Sequence, residues 1–172
     1  MAVRPIRLLG DPVLRAKAKR VTSIDDSIRE LVRDMIDSMY AAHGVGIAAP
    51  QIGVSLRVIV IGLPDEEPFA LVNPEIVKRE GRREVEEGCL SIPGYRALVP
   101  RSVTVVARGL DLQGRTVRIK ASAKGGERDA LLAQALEHEV DHINGILYID
   151  HLKSLDELVK ISEEAVELEG RS

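Results

Sequence analysis

The sequence predicts an α+β fold in which antiparallel β-sheets surround a central helix, with an N-terminal and a C-terminal helix on either side. Three observations predict it: one strongly patterned helical segment late in the chain, short β-branched runs between turn residues in the middle, and helical spacing towards both ends. Strands and helices do not alternate, so we expect no parallel β-α-β units. With 172 residues, 45% of them hydrophobic, we expect a single domain over residues 1–172.

An extended arm and a helix open the predicted fold. The first residues contain the turn signal Gly10-Asp11-Pro12, and we expect an arm that packs over the domain with the basic run Arg15 to Arg20 facing solvent. From Ser23 or Asp25, apolar residues recur at helical spacing. This spacing predicts an amphipathic helix that ends near residues 43–44.

Short strands and turns fill the middle of the chain. The pattern predicts strands at residues 56–61, 69–72, 76–79, 83–86, 103–107 and 116–121. We expect Asn73-Pro74 and Pro93-Gly94 to break the chain between strands. Hairpins about Glu80-Gly81 and around residues 111–114 would make the sheets antiparallel.

The most informative segment is a predicted helix over residues 128–145. It contains His138, Glu139 and His142 in the pattern His-Glu-x-x-His. Histidines four residues apart lie on one side of a helix, so both imidazoles can reach one metal ion. Glu139 is rotated about 100° from His138 around the helix axis, where it can act as a general base on water. The histidines continue an apolar stripe made of Leu131, Ala135, His138 and His142.

A third helix is predicted at the end of the chain, over residues 152–169. Its apolar side comprises Leu155, Leu158, Val159, Val166 and Leu168. Gly145, before this helix, is expected to end the preceding one.

The His-Glu-x-x-His pattern supplies only two metal ligands, so a third must come from elsewhere. Cys89 is the leading candidate, because a thiolate binds divalent transition metals strongly and Gly88 places it in a strand-to-turn segment. The alternative for this single cysteine is a small buried hydrophobe. Glu87, two residues earlier, is hypothesised to orient a metal ligand from outside the coordination sphere.

Composition argues against two classes of partner. The net charge is −3, so we expect no direct binding to nucleic acid. No apolar stretch approaches 18 residues, so we expect no membrane association. Arg4 and Arg7 precede any long apolar run, which argues against a signal peptide and predicts a cytoplasmic protein. A processed organellar protein would have the same features.

Three segments together resemble the motifs of bacterial-type peptide deformylases. They are Gly44 to Gln51, Glu87 to Ser91 and the His-Glu-x-x-His segment, in this order. The arm Gly10 to Arg15 and the segment Arg96 to Arg101 are also similar to that family. The resemblance therefore covers nearly the whole chain.

The resemblance implies a metal-dependent enzyme that removes the N-formyl group from the N-terminal methionine of newly made polypeptides. It implies one metal ion per chain, held by Cys89, His138 and His142. The family suggests Fe²⁺, although one thiolate and two imidazoles also suit Zn²⁺ or another divalent transition metal. It assigns Glu139 as the catalytic acid and base, and the Gln51 side-chain amide and the Leu90 N–H as donors to the oxyanion.

The same resemblance places the formylated peptide like an added strand. Its backbone would pair with Val45, Gly46 and Gly88, and its methionine side chain would enter an apolar pocket that includes Val45, Leu131 and Ala135. Arg96 is expected either near the peptide or as a solvated charge at a strand end.

Transient ribosome association is a further expectation, since a C-terminal helix docks on the ribosome in some members of the family. Residues 153–172 hold three basic and six acidic residues here. Their negative charge is unfavourable for binding ribosomal RNA.

Two other functions fit parts of the pattern. A zinc peptidase also uses His-Glu-x-x-His, but the third histidine of the metzincins would fall at Tyr148, which leaves Glu163 or Glu164 as a third ligand. A metal-binding or ribosome-associated module without catalysis would need neither Glu139 nor Gln51.

Overall fold

The computed structural model describes residues 2–161, which form two α-helices, eight strands and five short 3₁₀ helices. The α-helices are α1 (Asp26–Ala41) and α2 (Glu127–Ile143). The strands are β1 (Gly46–Ala48), β2 (Val58–Ile61), β3 (Phe69–Glu80), β4 (Arg83–Cys89), β5 (Ile92–Arg101), β6 (Thr104–Leu110), β7 (Thr116–Ser122) and β8 (Val159–Lys160). The 3₁₀ helices span Pro12–Leu14, Ala49–Ile52, Ala123–Gly125, Tyr148–His151 and Leu155–Glu157.

The strands form two antiparallel sheets that lie against α2. The first sheet has the order β1-β2-β3-β6-β7, and the second has the order β4-β5-β8. One side of α2 packs on the first sheet through residues such as Leu136 and Ile143. Its polar residues Glu139, Asp141 and His142 are buried as well. Because both sheets contact α2, the helix is buried around most of its circumference and not only along the predicted stripe.

Helix α1 confirms the amphipathic helix predicted near the N-terminus. Asp25 caps it by accepting a hydrogen bond from the N–H of Ile28 at 3.3 Å. Met35 and Met39 are fully buried in a second apolar cluster that also contains Val58 and Val72 of the first sheet. This helix therefore covers part of the first sheet.

The hairpin predicted about Glu80-Gly81 is wrong, although a turn does lie there. Strand β3 before the turn pairs with β6, whereas β4 after it pairs with β5. The turn therefore carries the chain from one sheet to the other. The hairpin predicted around residues 111–114 is confirmed, since β6 pairs with β7.

Two predicted breaks lie inside strands. Strand β3 continues through Asn73-Pro74 with a shift of register between Val72 and Glu75, which is a β-bulge. Pro93-Gly94 lies within β5, and the turn before that strand is Leu90-Ser91. The local sequence correctly predicts that the backbone is irregular at these residues. It does not predict whether the strand ends there or continues.

The predicted C-terminal helix is wrong over its first part. Residues 152–161 contain a 3₁₀ turn and β8, and β8 pairs with Tyr95 and Arg96 of β5. The apolar residues of this segment have helical spacing, but the segment instead forms a strand, because β8 can pair with the edge of β5. The rest of the predicted helix, residues 162–169, lies outside the described residues.

None of the helices within residues 2–161 has both the length and the apolar character needed to cross a membrane.

The N-terminal arm follows an extended path and packs closely on the end of α2. Its basic residues between Arg15 and Arg20 are exposed, as predicted. Gly145, just after α2, has a φ of +75°, and a Cβ atom there would lie 2.5 Å from the carbonyl oxygen of Arg15. Only glycine combines this left-handed conformation with so close a backbone contact.

We expect Gly145→Ala to lower the free energy of unfolding by about 2–4 kcal/mol, because strain of the left-handed conformation adds to a backbone clash. The matched control is Gly114→Ala, where φ is +79° but a Cβ atom would meet nothing within 4 Å. That control should lose only about 1–2 kcal/mol. Urea unfolding followed by circular dichroism measures both, and equal losses would show that the contact with the arm is unimportant.

Candidate metal centre and active site

Helix α2 brings His138 and His142 together as their spacing predicts. The two Nε2 atoms lie 3.2 Å apart, and the ring centroids are 4.9 Å apart. His142 is fully buried and His138 is partly buried. Both imidazoles can therefore coordinate one metal ion through their Nε2 atoms.

Cys89 completes this group from the second sheet. It is the last residue of β4, next to the two-residue turn Leu90-Ser91, and its Sγ lies 3.3 Å from the Nε2 of His142. One sulfur and two imidazole nitrogens lie within 4.8 Å of one another. This donor set suits a divalent transition metal, and three ligands would leave a coordination position for a reactant.

Glu87 contacts the other nitrogen of His138, as was hypothesised. Its Oε1 meets the Nδ1 of His138, which fixes the ring so that Nε2 faces Cys89 and His142. Arg101 holds the same carboxylate by donating from Nε to Oε2 at 2.9 Å and from Nη2 to Oε1 at 2.5 Å. Burial alone would raise the pKa of Glu87, but these partners lower it to about 2.

The anchoring network extends from Glu87 to the second half of α2. Nη1 of Arg101 donates to Oδ2 of Asp141 at 2.8 Å, which forms a buried ion pair. Asp141 also lies 2.8 Å from the Nε2 of His151. Burial alone would lower the pKa of Arg101, whereas the two carboxylates raise it.

The two histidines have opposite electrostatic environments. Burial would lower the pKa of His138, but Glu139, Cys89 and Glu87 raise it well above its ordinary value. Burial lowers the pKa of His142, and a charge on His138 lowers it further. The concentration of acidic groups around His138 favours a cation at this point, which fits a metal site.

Glu139 is buried beside this group. Its Oε1 lies 4.0 Å from the Nε2 of His142 and accepts no hydrogen bond within residues 2–161. Burial raises the pKa of Glu139 to about 7, although His138 opposes the shift. A Cβ atom on Gly46 would lie 2.6 Å from Oε2, so a side chain at position 46 would displace this carboxylate. The family resemblance gives Gly46 only a role in pairing with the peptide backbone.

Gln51 reaches the group from the first 3₁₀ helix after β1. Its Oε1 accepts a hydrogen bond from the N–H of Ala48 at 2.9 Å. Its Nε2 donates to the Oγ of Ser91 at 3.2 Å and lies 3.7 Å from the Sγ of Cys89. The side-chain amide is thus held in a defined orientation next to the thiol.

The residues predicted to bind substrate lie around this centre with different degrees of burial. Ala135 is buried on α2, and Leu131 packs against the same apolar cluster. Val45 is exposed just before β1. Arg96 lies next to Gly88 and pairs with Glu86 at 3.4 Å.

Two surface depressions lie away from this centre. One, of about 300 Å³, lies beside the start of α1, and the other, of about 280 Å³, lies on the outer face of β3, β6 and β7. None of the predicted site residues lines either of them.

The structural roles of three residues at this centre were not identified from the sequence. Arg101 was not predicted to hold Glu87, Ser91 was given no role, and Tyr148 was considered only as the position where a third histidine ligand is missing. The Tyr148 ring is stacked near His138 at a centroid distance of 6.4 Å, and its hydroxyl is buried. No local sequence signal predicts these contacts, because each joins residues of different secondary-structure elements.

A sequence model of the family described as polypeptide deformylase matches residues 3–158 of this chain. The peptide deformylase of Dehalococcoides mccartyi (strain CBDB1) is 55% identical over 162 residues, which cover 94% of this chain and 93% of that protein. The peptide deformylase of Thermomicrobium roseum is 46% identical over 175 residues, covering 97% and 96% of the two chains.

Solved structures give the same result. A crystal structure of a peptide deformylase from Legionella pneumophila has a TM-score of 0.81 at 43% identity, covering 99% of this chain and 92% of that one. The enzyme from Synechococcus elongatus, in complex with actinonin, has a TM-score of 0.82 at 40% identity, covering 97% and 86%.

Proposed function

This chain belongs to the polypeptide deformylase family, and from that premise we propose how its residues remove the N-formyl group of newly made polypeptides. The reaction is hydrolysis of a formyl amide, which yields formate and a free amino terminus. The observation that best supports a shared mechanism is the approach of the Cys89, His138 and His142 donor atoms to within 4.8 Å of one another. This matches the ligand set that the sequence resemblance implies.

We propose that these three residues hold one divalent transition metal. When bound, such a metal acts as a Lewis acid that makes water a stronger acid and polarises a carbonyl group. Glu87, itself fixed by Arg101, keeps the ligating nitrogen of His138 directed at the site. The thiolate and imidazole donors suit Fe²⁺ and Zn²⁺ alike.

The metal is proposed to be Fe²⁺, as the family resemblance suggests. Elemental analysis of anaerobically purified protein, together with its turnover, should then find about one iron per chain and an activity that declines in air. An iron-loaded sample that stays fully active in air would contradict iron as the working metal.

Glu139 is proposed as the acid and base of the reaction. It is buried beside the metal ligands, and its pKa of about 7 is close to the value at which a group can both accept and release a proton near neutral pH. Its carboxylate would take a proton from the attacking water and pass it to the departing amine. The space left by Gly46 keeps the carboxylate in place without a steric clash.

Gln51 and Leu90 are proposed to donate hydrogen bonds to the oxyanion that forms during attack. The Gln51 amide is held by Ala48 and Ser91, so little reorganisation is needed when charge develops. The Leu90 N–H belongs to the turn that directly follows the proposed ligand Cys89, which supports this role.

The formylated peptide is proposed to lie along the backbone of Val45, Gly46 and Gly88. Its methionine side chain would contact Leu131 and Ala135, which lie about two turns and one turn before His138 on α2, respectively. An apolar pocket of this kind discriminates by about 1–3 kcal/mol for each methylene group. The ion pair of Arg96 with Glu86 places that guanidinium next to Gly88, where it could contact the peptide.

The proposed substrate class indicates the cellular location of the protein. We propose that it acts in the cytoplasm on nascent chains as they leave the ribosome, with transient ribosome association. The C-terminal residues are an unfavourable contact for ribosomal RNA because of their negative charge.

A zinc peptidase is the less favoured alternative. The residue at its expected third-ligand position is Tyr148, whose hydroxyl is buried without a hydrogen-bond partner among the described residues. The sulfur of Cys89 instead lies beside His142. Glu163 and Glu164, the other candidates for a third ligand, lie outside the described residues.

Glu139→Gln should reduce formate release from formyl-Met-Ala-Ser by about 10²–10⁴-fold, because the amide cannot accept the proton. The variant should retain its metal, since Glu139 is not among the proposed ligands. The control is Glu127→Gln, which changes an exposed residue on the same helix. Near-normal turnover of Glu139→Gln at full metal content would remove Glu139 from the mechanism.

Glu87→Ala should weaken metal affinity by about 10–100-fold, because His138 loses the partner that orients its ring. Glu86→Ala is a matched control, since Glu86 precedes Glu87 on β4 but is exposed. Competition with a chromophoric chelator measures both affinities. Equal affinities in the two variants would show that the contact with Glu87 does not support the metal site.

A further inference from the structure

One continuous stretch of the N-terminal arm contacts all three segments that supply the proposed catalytic groups. We call this stretch, residues 7–18, the strap. The N–H of Arg7 donates to the carbonyl oxygen of Gln51 at 2.7 Å. The N–H of Leu9 donates to the carbonyl oxygen of Ser91 at 2.9 Å. Two alternate residues of the strap thus join the Gln51 segment to the turn after Cys89.

The strap continues from these two hydrogen bonds to the end of α2. Leu14 is buried in the apolar cluster against which Cys89 packs. The N–H of Ala18 then donates to the carbonyl oxygen of Ile143, the neighbour of His142, at 2.9 Å. The close contact between Gly145 and Arg15 lies between these two anchors.

The two proposed oxyanion donors come from segments that no sheet joins. Gln51 follows β1 of the first sheet, whereas Leu90 lies in the turn between β4 and β5 of the second. Their positions relative to each other therefore depend on contacts outside the strand ladders. The hydrogen bond from Gln51 to Ser91 is one such contact, and the strap provides two more.

We propose that the strap is a positioning element for the reaction, which keeps the Gln51 amide and the Leu90 N–H at a fixed separation. It touches no reacting atom, so its effect is transmitted through the backbone of Gln51 and Ser91. This inference rests on the proposed function for its effect on turnover. Misplacement of a catalytic group by about 1 Å can cost about 10²-fold in rate, so a small loss of alignment is measurable.

The sharpest test removes one strap N–H donor without changing a side chain, and it also weakens the Leu8 carbonyl as acceptor for the N–H of Asp11. Replacing Leu9 by its α-hydroxy acid substitutes an ester oxygen for the N–H that donates to Ser91. The matched control makes the same replacement at Leu8, whose N–H is in neither of these hydrogen bonds. The two side chains are similarly exposed, at 51% for Leu8 and 49% for Leu9.

Only the Leu9 ester should lower kcat, by about tenfold, with KM changed less than twofold and one metal per chain retained. A role confined to folding would lower the thermal stability of the Leu9 ester and leave its kcat at full metal content unchanged. Equal kcat values for the two esters would overturn the proposal, as would a fall in kcat that only follows metal loss.

A second readout is independent of turnover. In zinc-loaded protein, the side-chain amide signals of Gln51 in nitrogen-15 NMR spectra should shift or broaden in the Leu9 ester alone. If the unaltered protein releases no formate, the proposed function fails, and the amide signals still decide whether the strap orders Gln51. Unchanged amide signals in the Leu9 ester would contradict the proposal.

Deletion of residues 2–9, compared with deletion of residues 2–5, provides a test without unnatural residues. The shorter deletion removes the hydrogen bonds of Ala2 and Arg4 with α1, whereas the longer one also removes those that Arg7 and Leu9 donate to Gln51 and Ser91. The longer deletion should lower kcat at least as much as the Leu9 ester. Equal kcat values in the two deletions would count against the strap.

Discussion

The buried guanidinium of Arg101 links the second sheet to α2, and the arrangement of the site depends on this link. It binds Glu87 with two nitrogens and Asp141 with a third, and all three side chains are almost completely buried. Buried charges are costly unless each is paired, and here the pairing is complete enough to keep Glu87 ionised. Without Arg101, two buried carboxylates would repel each other between the sheet and the helix.

This link explains why Cys89 lies beside the histidines. Glu87 and Cys89 are two residues apart on β4, so fixing Glu87 against His138 also brings the thiol to the same side of α2. The regular helix contributes the spacing of His138 and His142, and the sheet contributes the sulfur. The first sheet then adds Gln51 from the segment after β1, and the N-terminal arm contacts all these segments from outside.

Much of this site could be predicted from the sequence, because its centre depends on local spacing. A separation of four positions between the histidines places both on one face of a helix, whatever the rest of the fold does. Thiolate chemistry makes Cys89 a candidate ligand, but only the resemblance to a family favours that role over a buried hydrophobe, since no local rule brings residue 89 to residue 142. Arg101 and Ser91 were missed for the same reason, and so was the assignment of β3 and β4 to different sheets. A turn at Glu80-Gly81 has the same local sequence whether or not its two strands pair.

The central claim is that one sulfur and two imidazoles bind a single metal ion. X-ray absorption spectroscopy on the zinc-loaded protein tests it most directly, because the method counts the atoms around the metal and measures their distances. We predict one sulfur at about 2.3 Å and two imidazole nitrogens at about 2.0 Å, with the sulfur absent in Cys89→Ala. A coordination sphere of nitrogen and oxygen alone in the unaltered protein would contradict this account.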